Sequence, residues 1–173
     1  MKRTLSTTLL LGTVVTFPLA GQAPASTELD GCSFISGADV QSVTGEMLER
    51  SPRPTNRAYG TVQTWGCNYK SAGWTVETHV ETGRSKDGLA LYLKGLGATV
   101  KQTTENALKP VAGLGDQAWW GPVNPTNGML HVVRGTDVIW VQTYGKGAGA
   151  GTLEKTRAIT EKVLEGYKRA RPS

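Results

Sequence analysis

Cysteine, histidine and phenylalanine are nearly missing from this chain, with two of each in 173 residues. Two cysteines without a Cys-x-x-Cys spacing exclude a thiolate zinc cluster and a dithiol redox centre. Two isolated histidines leave no His-Glu-x-x-His, and there is also no Gly-x-Ser-x-Gly and no Ser-x-x-Lys, so no nucleophile-and-base motif is visible. Charge is sparse as well, at 19% of residues, and only one hydrophobic run is long and charge-free. That run lies at the start, so nothing later in the chain can span a bilayer. Against these shortages stand 22 glycines, five Trp and five Tyr. They provide turns and enough apolar surface for one folded domain, which argues against disorder.

Met1-Lys2-Arg3 gives a cationic start and Leu5 to Ala20 an uncharged core, the layout of a secretory signal peptide. Small residues in Ala23-Pro24-Ala25 place cleavage after Ala25, giving a leader over 1–25 and one domain over 26–173. The apolar run is shorter than the ~20 residues of a spanning helix, which disfavours an uncleaved anchor. Leu29-Asp30-Gly31-Cys32 ends like a lipobox, but Asp30 fits poorly and Cys32 lies far behind the apolar core. Of 19 basic side chains, Lys2 and Arg3 fall in the leader, so the mature balance is 17 against 14, a net charge of +3. No basic stripe is interleaved with stacking aromatics, which disfavours nucleic acid as a partner. The expected location is the periplasm or the extracellular medium. There thiols pair, and Cys32 has only Cys67 as an intramolecular partner.

The periodicities alternate between strand and helix. Ser36-Gly37-Ala38-Asp39 predicts a capping box for a short helix ending at Gly45. Ser51 to Asn56 is a proline-rich connection. Thr61 to Tyr69 and Trp74 to Thr82 read as a hairpin, the second strand holding Trp74, Val76 and Val80 on one side and Glu77, His79 and Glu81 on the other. Leu89, Tyr92, Leu93 and Leu96 form a helical apolar stripe that Gly97 is expected to end, with residues 99–106 as an edge strand. An aromatic strand through Trp120 follows, then a hairpin of Met129 to Val133 and Val138 to Tyr144. A last helix is capped by Thr152. The order predicts α+β, an antiparallel sheet of about five strands with helices covering one face, and one disulfide.

A cysteine opening a short helix that ends in glycine, the later Cys67-Asn68-Tyr69, and Val111-Ala112-Gly113-Leu114-Gly115-Asp116-Gln117-Ala118-Trp119-Trp120 together resemble a loose group of exported bacterial proteins of unknown function. Many of these are lipoproteins, and some are similar to small extracellular sensor domains. The resemblance implies an α+β fold and a cell-envelope location; it implies no catalytic residues.

Candidate binding residues come from the aromatics. In a strand Trp119 and Trp120 point to opposite faces, so one enters the core while the other, with Trp140 or Tyr144, lines a surface. Asp116, between Gly115 and the tryptophans, is a further candidate, although a short side chain there also suits hydrogen bonds to nearby amides. The loop from Gly145 to Gly151 precedes a helix, and Lys146 with the Gly147 amide are candidates for binding a small anion. It lacks the strand and acid of a dinucleotide site. His79 between Glu77 and Glu81 reads first as solvated surface, and His131 as a sheet histidine with a local hydrogen bond. The expected function is therefore an exported, non-catalytic binding or accessory domain that takes an envelope protein or a small ligand, without cofactor or metal. An inhibitor or immunity-type protein blocking an extracellular enzyme and a small hydrolase using Glu77, His79 and Glu81 are the alternatives.

Overall fold

The computed structural model describes residues 29–104, 108–124 and 126–171. The expected signal peptide and its cleavage site lie outside the described residues. A 3-10 turn at Gly31–Ser33 leads into α1 (Gly37–Thr44), β1 (Arg53–Pro54), β2 (Arg57–Tyr59), β3 (Val62–Lys70) and β4 (Trp74–Thr82). Then come α2 (Lys86–Thr104), β5 (Lys109–Pro110), β6 (Gln117–Asn124), β7 (Asn127–Arg134), β8 (Asp137–Gly145) and α3 (Leu153–Ala170). The strands form one antiparallel sheet in the order β1-β3-β4-β8-β7-β6-β5, with β2 also on β3. The fold is α+β. Its sheet has eight strands rather than about five. The long ones, β3, β4, β6, β7 and β8, are those that alternation predicts; β1, β2 and β5 are two or three residues each, too short to show a period.

Residue alternation divides the sheet into two faces. Cys67, Tyr69, Val76, Val80, Leu130, Val132, Ile139 and Val141 share the inner face and are buried. α3 covers them with Ile159, Val163, Leu164 and Tyr167, which recur at helical spacing along one stripe. Its start is fixed by Thr152, whose hydroxyl accepts from the Lys155 amide, and a buried pair at 2.5 Å joins Thr156 to Thr143 of β8. α1 packs against α3 and carries the capping box: Ser36 accepts from the Asp39 amide at 3.0 Å, and the Asp39 carboxylate accepts from the Ser36 amide. The Ser36 hydroxyl and then Lys162 hold that carboxyl below its ordinary range. Gly45 ends the helix in the left-handed conformation.

α2 corrects three expectations. It runs to Thr104, so the predicted edge strand over 99–106 is helical as far as it is described. Gly97 is not left-handed and supplies no cap, so the helix passes through it at a cost of about 1 kcal/mol relative to alanine. The helices also do not all cover one face. The Tyr92 hydroxyl bonds His131 Nδ1 at 3.0 Å, and His131 alternates with the inward Leu130 and Val132, which puts α2 on the outer face. Burial lowers the His131 pKa to about 4.

Cys32 and Cys67 are joined, with Cα atoms 4.9 Å apart. The bond pins the 3-10 turn onto β3, where Gly31 lies so close to the Gly66 backbone that a Cβ on it would stand 2.0 Å from the carbonyl oxygen. Among the described residues no helix is long and apolar enough to cross a membrane.

Candidate functional site

The outer face carries a cleft of about 380 Å³ across β2, β3, β4 and β8. Its concavity follows from side-chain size along the register. Arg57 and Tyr59 of β2 oppose Thr64 and Val62 of β3, and His79 and Glu81 of β4 oppose Gly66 and Thr64. β3 therefore presents Thr64 and Gly66 as a low floor between taller walls. Four strands span three inter-strand steps, about 14 Å, which sets the width.

One cross-strand row builds the inner wall. Gly66 pairs with His79, His79 with Trp140, Trp140 with His131 and His131 with Trp119, so an aromatic ladder runs from His79 on β4 to Trp119 on β6 with β8 and β7 between them. The His79 and Trp140 rings are stacked, with centroids 3.8 Å apart and planes within 13°. Gly66 is required beside them: a Cβ there would meet Thr55 Oγ1 at 2.3 Å and His79 at 2.7 Å.

Two carboxylates flank the stack and both are held. Glu77 Oε1 accepts from the Tyr144 hydroxyl at 2.9 Å and from Asn68 Nδ2 at 3.2 Å. Glu81 Oε1 accepts from Trp140 Nε1 at 3.2 Å, while its other oxygen pairs with Arg84; its side chain is only 13% exposed. Burial lowers the His79 pKa, and Arg57 adds to that, against the opposing pull of Glu77 and Glu81. The imidazole is thus neutral at neutral pH. Of the buried side-chain polar atoms without a partner among the described residues, Thr55 Oγ1 and His79 Nδ1 lie in the cleft wall, and Arg84 Nε belongs to the residue that grips Glu81. Trp74 Nε1, on the inner face, is the fourth such atom, so two of the four belong to residues that line the cleft.

The sequence-derived candidates separate in space. Trp140 lines the cleft, together with the Glu77, His79 and Glu81 strand face that sequence alone reads as bare surface, and Tyr144 borders it through its bond to Glu77. The aromatic hairpin and the histidine face are one surface, not two. Trp119 shares this face two strands further on and is half-buried. Trp120 does not: it points inward and is buried in the core. Asp116 lies elsewhere, its carboxylate accepting from the Gly135 amide at 2.6 Å beside a second hollow of about 470 Å³ that Arg134 and Lys168 also line. The Lys146 and Gly147 amides both donate to the Gly73 carbonyl, at 2.9 and 2.8 Å, so neither is available to an anion. Arg57, Tyr59 and Thr55 are the cleft residues that sequence reasoning misses. Arg57-Ala58-Tyr59 before the left-handed Gly60 is the signal that was available, a two-sided strand tip leading into a turn.

No protein-family model matches the chain, and no curated protein matches it either.

Proposed function

We propose that the chain is an exported, non-catalytic binding domain of the cell envelope and that the outer-face cleft is where it holds its partner or ligand. The observation that carries this reading is the His79–Trp140 stack, half-open at the wall of a cleft whose two carboxylates are already fixed by neighbouring donors. Such a surface is preorganised: its polar groups are oriented before anything arrives, which lowers the ordering cost of binding. The disulfide supports export, since paired thiols persist outside the cytoplasm.

The test is affinity capture from envelope extract with the wild type, Trp140→Ala and Asp116→Ala, comparing both proteins and small molecules retained. At least one retained species should fall fivefold or more with Trp140→Ala and stay unchanged with Asp116→Ala. Equal retention by Trp140→Ala removes the cleft from the account.

A hydrolase at the same cleft is the second reading, favoured by His79 lying between Glu77 and Glu81 in one hollow. Against it, among the described residues no hydrogen bond joins His79 to either carboxylate, so the imidazole has no carboxylate partner of the kind a general base uses. Turnover of an ester or glycoside substrate that His79→Ala abolishes would place this reading ahead.

A further inference from the structure

We propose that the cleft takes a neutral saccharide, one or two pyranose rings lying between Tyr59 on the outer wall and the His79–Trp140 stack on the inner one. This rests on the cleft being the binding site.

Charge is the first argument. Glu77 and Glu81 along the β4 wall oppose an anion, while Arg57 at the rim and Arg84 behind Glu81 oppose a cation. The four formal charges cancel, and a neutral ligand meets no uncompensated field. Hydrogen-bonding capacity is the second. Asn68 donates its amide to Glu77 and keeps its carbonyl oxygen free, and the second oxygen of Glu77 takes no donor among the described residues. These planar acceptors, with the Tyr59 hydroxyl and the Arg57 guanidinium on the opposite side, match the alternating donors and acceptors of vicinal hydroxyl groups. Shape is the third. Tyr59 is 64% exposed on a short strand tip although its ring is large and apolar, and Trp140 is only half-buried. Aromatic faces carry partial negative charge and accept the polarised C–H face of a sugar ring, whereas a flat hydrophobic ligand would leave the carboxylates and amide of the cleft unmatched. The volume of about 380 Å³ accommodates a short oligosaccharide segment and not a folded protein domain.

The experiment is a printed array of neutral glycans probed with the purified full chain, followed by tryptophan-fluorescence titration of each positive, with tetramethylammonium and citrate as charged controls. At least one neutral glycan should bind and change the tryptophan emission, with affinity reduced fivefold or more in Tyr59→Ala, whose exposed side chain can be removed without disturbing the core, and in Glu77→Gln. Met47→Ala, an exposed apolar residue outside the cleft, should bind as the wild type does. An array without a Tyr59-dependent positive, or binding of a charged control in preference to every glycan, overturns the proposal. If capture from envelope extract is nevertheless Trp140-dependent, only the ligand class is wrong; if it is not, the cleft itself is the wrong site.

Discussion

Gly66 is where the two sides of the sheet depend on the same atoms. Gly31 closes on its backbone from one direction, and Thr55 and His79 crowd it from the other. Gly66→Ala should therefore cost about 1–3 kcal/mol in chemical denaturation, the usual penalty of overpacking, and should displace His79 from Trp140, which near-ultraviolet circular dichroism would detect. Unchanged stability and an unchanged aromatic signal would contradict the contact. His131 gives the clearest pH dependence. Its folded-state pKa of about 4 lies below the ordinary histidine value of 6.5, so between these the unfolded chain binds the extra proton. Stability is full above about pH 6.5 and declines as pH falls towards 4, by about 3 kcal/mol for this group. His79, lowered by burial, acts in the same direction. Melting temperatures measured from pH 4 to 7 should rise with pH, and His131→Phe should flatten most of that slope.

Among the elements, α2 and α3 differ in how they are held. α3 buries Thr156, Ile159, Thr160, Val163, Leu164 and Tyr167, whereas Leu89, Tyr92, Leu93 and Leu96 of α2 are only half-buried and Leu91 is exposed. α2 lies against β6 and, among the described contacts, is tied by the Tyr92–His131 bond and by Arg84 lying over the Tyr92 ring. Amides in residues 89–96 should exchange with deuterium at least tenfold faster than those in 156–164, because local opening exposes less apolar surface there; equal protection would show that α2 is docked more firmly than its burial implies. These contrasts explain what could be read from sequence. The i, i+3, i+4, i+7 stripe reveals that α2 exists, and the strict alternation of β4 assigns Glu77, His79 and Glu81 to one face. Neither pattern says which face of the sheet a helix chooses, because Leu89 and Leu93 fit any apolar surface. Cross-strand neighbours are equally silent: that His79 stacks on Trp140 depends on the β4–β8 register, a pairing between segments far apart in sequence. The cleft was half legible for that reason, with Trp140 and Tyr144 identified as aromatics to watch and Arg57 and Tyr59 hidden in a strand of three residues.

For the whole molecule, the disulfide is the main constraint on the unfolded chain. Replacing both Cys32 and Cys67 by Ser should lower stability by about 2–5 kcal/mol, measured by urea unfolding, and treatment of the wild type with a reductant should give the same loss. The effect should reach the cleft, because the tied turn also contacts its outer wall: the Gly31 amide donates to Asn56 Oδ1, and Asn56 in turn donates to the Leu29 carbonyl, next to Thr55. A double-Ser chain that keeps wild-type stability would show that the noncovalent contacts of the turn suffice.

The same bond determines how the protein answers a mechanical pull. Tension applied between the two ends enters at Cys32 and crosses directly to Cys67 in the middle of β3, so α1, β1 and β2, which lie between the cysteines, carry none of it. The chain within the 35-residue separation is stored as slack of about 115 Å that no stretch can release while the sulfurs remain joined. Under load, one wall of the cleft would therefore stay assembled until β3 itself was torn from its neighbours, and a reductant would lengthen the stretched molecule by releasing that slack.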